Sequence, residues 1–593
     1  MQDPMQNLTT SLSKLSTNAE RSGYGPSMPP PLRRLGCANQ SISSYRLCPN
    51  DATQSCGGCF LVRYCSKECQ TEHWKSHKQD CKNPLKSKSW SPMWVKEDRK
   101  PAFVSGPDET HVPQKKFGIP MGLWGNMMSI DVINAQNNEG ADKICDKDLS
   151  LAFIASGDLR NVVRTVNELP ENYTGTLKIV LNDKNCRIVC RNFVILTILG
   201  IVEDVEEAAE QALHFWYSVF QPLSYRFLVF PHFPDAPTLQ HLDGTPARLT
   251  SSTTVHTRWD PNTVMFLISL LSGDEIDLPQ AKDTWSRTMY APERIDHRER
   301  HYTDLRPSHR LAFDAWRRSG LLLPFGAMKD HMCVPNAWLF SGQGDLLLND
   351  SSNPLEGWDY TEVVKAGKEH GTTADDLMGG MFFYVKDQLV EFSKRLRRFK
   401  IHIYSYDKDA KDLPTFLRSD ISSPKAFDRI ETSNIIDKNY VGLSILSQWG
   451  PLLNGANPHA AIIGLFMNWT NWKKAGEATS SMATMHRAMK EMASCKFTDL
   501  RRMSGHSLHN AMNGLDAFHD TSIAFQEYLN EEKADMIARK VGLKCRRINK
   551  IVPHRCFAEL GTSPSSLPCI DTPDKWYAMV SPPYVLCRLR VVC

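Results

Sequence analysis

The sequence predicts an α/β body built on a mostly parallel sheet with helical insertions, preceded by a small metal-binding module. Two observations predict it. Short apolar runs of strand length alternate with stretches of helical spacing on both sides of the chain's middle, and parallel strands need such crossovers. Ahead of them, between Cys37 and Cys81, seven cysteines and a histidine fall at metal-ligand spacings.

In chain order, residues 1–34 are rich in Ser, Asn, Pro and Gln and end in Pro29-Pro30-Pro31-Leu32-Arg33-Arg34. That composition buries no core, so this leader is expected to be disordered. The module, residues 35–82, contains Cys56-x2-Cys59, Cys65-x3-Cys69 and His77-x3-Cys81, with Cys37 and Cys48 ahead of them. Eight soft ligands make two tetrahedral zinc sites with no position left for water, which points to structural metal rather than catalysis. A disulfide framework is the alternative. It is disfavoured by the histidine at ligand spacing and by an N-terminus without the apolar core of a signal peptide.

Tyr64-Cys65-Ser66-Lys67-Glu68-Cys69-Gln70, His73-Trp74 and His77-Lys78 resemble the MYND-type zinc finger. The resemblance implies cross-bracing, with Cys37, Cys48, Cys65 and Cys69 on one zinc and Cys56, Cys59, His77 and Cys81 on the other. His73, one helical turn before His77, competes for the ligand role; the family pattern puts the ligand at His77. Cys37-x10-Cys48 departs from the family's short first gap, so Asn39 to Leu47 is expected to bulge as a loop, at little entropic cost. The family docks short proline-rich peptides, which implies protein partners of that kind and makes the proline-rich leader a candidate intramolecular ligand. A solvated leader is the simpler reading. Loss of either ion is expected to leave the α/β body folded.

Residues 83–119 read as a Lys-, Ser- and Pro-rich linker. Lys82, Lys86 and Lys88 have no aromatic-interleaved basic patch behind them, and the net charge is only +4 over 593 residues, so nucleic acid is not an expected partner. The first α/β half spans 120–240. Leu149 to Ala155 is a strand, Leu159 to Leu169 a helix and Thr176 to Leu181 a strand; helices follow at Asn185 to Leu199 and Glu203 to Phe220. Residues 241–375 are a mixed insertion without clear periodicity. The second half, 376–593, has a helix at Met378 to Phe399, strands at Lys400 to Ser405, Phe427 to Thr432 and Ala460 to Phe466, and a helix from Val441 to Leu453. Trp576 to Val592 is expected to close the chain as a hairpin.

Leu123-Trp124-Gly125-Asn126, Gly157-Asp158-Leu159-Arg160-Asn161-Val162, Leu181-Asn182-Asp183, Arg191-Asn192 and His214-Phe215-Trp216-Tyr217 resemble an uncharacterised α/β domain of fungal MYND proteins. That domain is related to the N-terminal part of a dynein axonemal assembly factor. The resemblance implies a fold and little function.

A strand, a glycine turn, a helix and a strand ending in an acid also outline a Rossmann-like, methyltransferase-like body. By that analogy Gly157 and Asp158 sit at the cofactor turn and Asp183 at a ribose position, and S-adenosylmethionine is the ligand to weigh. The single glycine is a thin signal, and Asp158 equally serves as a helix cap. Cys333-Val334-Pro335-Asn336 echoes a SET motif without its companions, and the chain lacks Gly-x-Ser-x-Gly, HExxH and GxxxxGK[ST] patterns. The expected function is therefore a zinc-binding interaction or assembly protein, with a recruited methyltransferase as the alternative. The longest apolar run, Phe193 to Val202, is too short to span a bilayer, and scattered free thiols fit a reducing compartment, so the chain reads as soluble and intracellular.

Overall fold

The computed structural model describes residues 30–40, 48–103, 117–225, 246–272, 276–303, 305–495, 514–546, 548–555, 558–580 and 590–592. The module opens the fold with a small ribbon, β1 (Gln54–Ser55) against β2 (Arg63–Tyr64), and helix α1 (Lys67–Cys81). The body then runs β3 (Leu149–Phe153), α2 (Arg160–Asn167), β4 (Thr176–Asn182), α3 (Cys186–Ile201), α4 (Val205–Tyr217) and β5 (Phe220–Pro222). The insertion supplies β6 (Ala247–Arg248), β7 (Thr253–Arg258), α5 (Pro307–Ser319) and β8 (Met332–Pro335). Then come α6 (Leu377–Arg398), β9 (Lys400–Tyr406), β10 (Arg429–Glu431), α7 (Ser444–Trp449), β11 (Ala461–Phe466), α8 (Ser522–Glu531), α9 (Pro573–Val580) and β12 (Arg590–Val592).

Eight strands form the main sheet in the order β12-β11-β10-β3-β4-β9-β7-β6. The six inner strands are parallel, and β12 and β6 close the edges antiparallel. Alternate side chains divide between two cores, as the two-residue period of a strand requires. Leu151, Phe153, Ile179, Leu181, Ile401 and Ile403 enter the larger core, with Val163 of α2, Phe193 of α3, Trp216 of α4 and Phe382 of α6. Ala152, Ile154, Val180, Tyr404 and Tyr406 enter the second, with Trp449 of α7 and Phe525 of α8. Burial on both faces explains why the parallel strands read as nearly continuous apolar runs.

Local chemistry sets the helix starts. Asn185 caps α3 by accepting from the Arg187 N–H, Asp204 caps α4 through Glu206 and Glu207, and Asp376 caps α6 through Gly379. The helix expected to run to Phe220 stops at Tyr217, because Phe220–Pro222 pairs instead with β8. The helix expected over Val441 to Leu453 is shorter, at Ser444–Trp449 followed by a 3-10 turn at Gly450–Leu452.

Two expectations need correction. Trp576 to Val580 is helix rather than one arm of a hairpin: Pro573 opens α9, and Thr572 caps it by accepting from the Lys575 N–H. The last strand pairs with β11, Gly464 opposite Val592. The insertion also supplies a strand of the sheet, since β7 lies parallel to β9. Its sequence, Thr-Thr-Val-His-Thr-Arg, has no apolar run to announce it.

The leader's end and the linker's start are both held to the body. Leu32 donates its N–H to Glu210 and accepts from Lys386, and the Leu35 N–H reaches the His370 carbonyl. Residues 30–35 thus sit on α4 and α6, which leaves the intramolecular-ligand idea without support in this stretch; residues 1–29 lie outside those described. Beyond the module, Arg310 donates to the Leu85 carbonyl, Trp94 is buried and Arg99 pairs with Asp296.

Candidate metal centre

The ligands are brought together by one turn, one ribbon and one helix. Ser66 accepts from the Cys69 N–H at 3.3 Å and starts α1, so Cys65 and Cys69 flank the helix N-terminus. One turn apart on the same helix, His77 and Cys81 face the opposite way along the module. Between β1 and β2 a knuckle presents Cys56 and Cys59: the Phe60 N–H returns to the Cys56 carbonyl and the Leu61 N–H points at Cys59 Sγ, 3.5 Å away. Gly58 is required there, because a Cβ would stand 2.6 Å from Cys81 Sγ.

Two four-ligand groups result, Cys37-Cys48-Cys65-Cys69 and Cys56-Cys59-His77-Cys81, each with its donor atoms within 4.8 Å of one another. In the first, Cys65 Sγ lies 3.5 Å from both Cys48 Sγ and Cys69 Sγ, and Cys48 and Cys69 Sγ are 4.0 Å apart. In the second, Cys56 and Cys81 Sγ are 3.8 Å apart and Cys59 Sγ is 3.3 Å from His77 Nε2. Tetrahedral zinc, with Zn–S of about 2.3 Å, separates its sulfurs by about 3.8 Å. Both groups fit a zinc ion, and all four positions of each are taken by protein. The sites are structural.

The electrostatics call for a cation. Burial pushes the Cys37 and Cys59 thiols up to about 12, and Cys81 also rises through burial and the neighbouring Cys56. A dication is what makes such clustered, buried thiolates tenable. His77 is driven down to about 4, first by burial and then by His73 and Lys86, so it stays a neutral ligand. Lys86 donates to the Gly58 carbonyl and lies 4.0 Å from Cys81 Sγ, offsetting thiolate charge. His73 is outside both groups: its Nδ1 meets the Tyr64 hydroxyl at 3.0 Å, and its ring stacks on His77.

Cys37 joins the first site although ten residues separate it from Cys48; of the bulge between them, 41–47 lie outside the described residues. That the module is built into the body has no signature among the local sequence patterns. Leu311 and Ala312 of α5 share a core with Cys59, Leu61 and Val62, and Ser308 Oγ donates to the Cys59 carbonyl. Arg63 reaches the Gly371 carbonyl and Thr373 the Phe60 carbonyl.

Gly157, Asp158 and Asp183 converge at the carboxyl ends of β3 and β4. Asp183 Oδ2 accepts from the Gly157 N–H at 3.0 Å and Oδ1 from Asn185; Asp158 accepts from Gly125 and Arg160. Both carboxylates therefore hold the turns of this edge. Gly157 needs its left-handed φ of 55°.

Two interleaved closed sites on one short segment define a cross-braced zinc finger. The chain matches the MYND finger over residues 46–81 and a domain of unknown function, DUF4470, over residues 123–221. The finger match begins after Cys37, which the fold groups with Cys48, Cys65 and Cys69 as the sequence resemblance implies. No curated protein and no solved structure matches the chain. Among the described residues no helix is long and apolar enough to cross a membrane.

Proposed function

We propose that this protein is a zinc-dependent interaction scaffold, in which a MYND finger offers peptide partners a docking surface at a fixed orientation to a Rossmann-like body. MYND fingers are protein-interaction modules, and the two closed four-ligand groups support metal that builds a surface rather than performs chemistry. The observation that carries the reading is the division of the finger's surface. Its knuckle is tied to the body through Cys59, Val62 and the Phe60 carbonyl, while Lys67, Glu68, Thr71, Glu72, Lys75 and Lys78 of α1 remain exposed.

The strand order supports the Rossmann-like part of the proposal. Taken in chain order, β3, β4, β9, β10 and β11 occupy the spatial order 3-2-1-4-5, with β7 added outside β9.

Fluorescence anisotropy with labelled proline-rich peptides and the full zinc-loaded chain tests the proposal. Saturable binding that disappears on zinc chelation and in Cys65→Ser is expected. Binding indifferent to zinc, or none from any proline-rich peptide, overturns the peptide class.

A further inference from the structure

Direction reverses in the sheet at β3: the chain passes from it to β4 on one side and returns to β10 on the other. Crevices at such reversals, beyond the carboxyl ends of the strands, are where open α/β sheets take ligands. The N-termini of α2 and α3 both arrive at this edge, and their dipoles favour negative charge. Above Gly157 the space is open, with no atom within 4 Å of where a Cβ would stand.

Arg191 is the second, independent observation. It lies on α3 with 0% of its surface exposed, and its Nε, Nη1 and Nη2 have no hydrogen-bond partner among the described residues. Its neighbour Asn192 donates to the Gly157 carbonyl at 2.7 Å, which fixes this part of α3 beneath the glycine turn. Arg160, at the start of α2, also has an unpartnered Nη1, and its Nε comes only within 3.5 Å of Asp158. The acids of the edge are otherwise engaged. Asp158 and Asp183 accept backbone N–H groups, and buried Glu431 accepts from Ser433. Asp158 and Asp183 support the charge of Arg191 without hydrogen-bonding it, so guanidinium N–H donors are left over, and buried donors without an acceptor are costly.

We propose that this edge binds a small oxyanion, free or as the head of a larger ligand, through the planar donor fork of Arg191, with Arg160 as the second cation. Carboxylate and phosphate share the geometry that a guanidinium recognises. The site is separate from the zinc finger and independent of its peptide partners.

Thermal unfolding of the full zinc-loaded chain, followed by tryptophan fluorescence, tests it with inorganic phosphate and with acetate as probes, each against potassium chloride of equal ionic strength. A saturable rise in Tm with one of the two is expected, and which one responds identifies the ligand head. Arg191→Met should abolish the response, since it removes the donor fork. Arg160→Gln should weaken binding by about tenfold, the loss of roughly one charged hydrogen bond. The proposal is overturned if neither anion exceeds chloride, or if Arg191→Met responds like the parent. The titration of the parent protein decides even if a variant fails to fold.

Discussion

Ser308 Oγ on α5 donates to the carbonyl of Cys59, a zinc ligand, at 3.1 Å. Together with Leu311, whose side chain is fully buried against the finger's core, it makes the metal site part of the body's packing. Zinc removal should therefore lower the body's melting temperature as well as unfold the finger, contrary to the independence expected from the sequence. Leu311→Ala should cost about 2–5 kcal/mol and loosen the second zinc site. Urea unfolding followed together with zinc release checks both. Coincident transitions are expected; a body transition that chelation leaves unmoved would refute the coupling.

The histidine assignment is tested by metal content. His77→Ala should leave one zinc per chain, because Nε2 is the fourth ligand of its group. His73→Phe should keep two, at the cost of the Tyr64 hydrogen bond, about 1 kcal/mol. Loss of zinc from His73→Phe alone would reverse the assignment.

Gly58→Ala forces a Cβ to within 2.6 Å of Cys81 Sγ. Competition with a chromophoric chelator should show one of the two ions held at least about tenfold more weakly, a cost of roughly 1.4 kcal/mol or more. Equal retention of both ions would show that the knuckle shifts freely.

His370 gives the leader a pH dependence. Its Nδ1 faces the Arg33 carbonyl at 2.6 Å and its Nε2 both oxygens of Asp387 at 2.9 Å, so only the imidazolium donates to both sides. The bond to Asp387 raises its pKa, with the Arg33 carbonyl assisting against burial and Lys386. A raised folded-state value means that the stabilisation is complete below about pH 6.5 and is lost as pH rises through the folded value. Hydrogen exchange at Leu35, whose N–H is bonded to the His370 carbonyl, should quicken beyond the intrinsic rate as pH rises above about 6.5 and through the folded value. In His370→Gln that excess should vanish.

Arg429 of β10 and Glu139 form a buried pair, 2.8 Å and 2.9 Å to the two carboxylate oxygens, and Arg429 also holds the Val132 and Ile133 carbonyls. Glu139→Ala leaves that guanidinium short of its counter-charge and should cost about 3–5 kcal/mol in denaturant unfolding. A cost below about 1 kcal/mol would mean that the backbone carbonyls suffice.

The zinc ligands were legible because their chemistry is local. Cys65-x3-Cys69 and His77-x3-Cys81 declare themselves by spacing, since one helical turn fixes where both side chains of a pair point. Strands β3, β4 and β11 were legible for a similar reason, as burial on both faces favours nearly continuous apolar runs, and β9 showed itself through Ile401, Ile403 and Tyr404. Arg191 left only a faint trace, a charge inside a largely apolar helix, and nothing local says that its guanidinium finds no partner.

By itself, then, the sequence determined which side chains take the metal and where most of the buried parallel strands lie. Tertiary structure decided the rest. It placed polar β7 beside β9, turned Trp576–Val580 into a helix, brought Cys37 across its long loop and buried the finger's knuckle against α5. Those outcomes depend on partners far away along the chain, such as Ser308, 249 positions after Cys59. Contacts of that reach are chosen by packing and by the satisfaction of buried polar groups, which no short window of residues encodes.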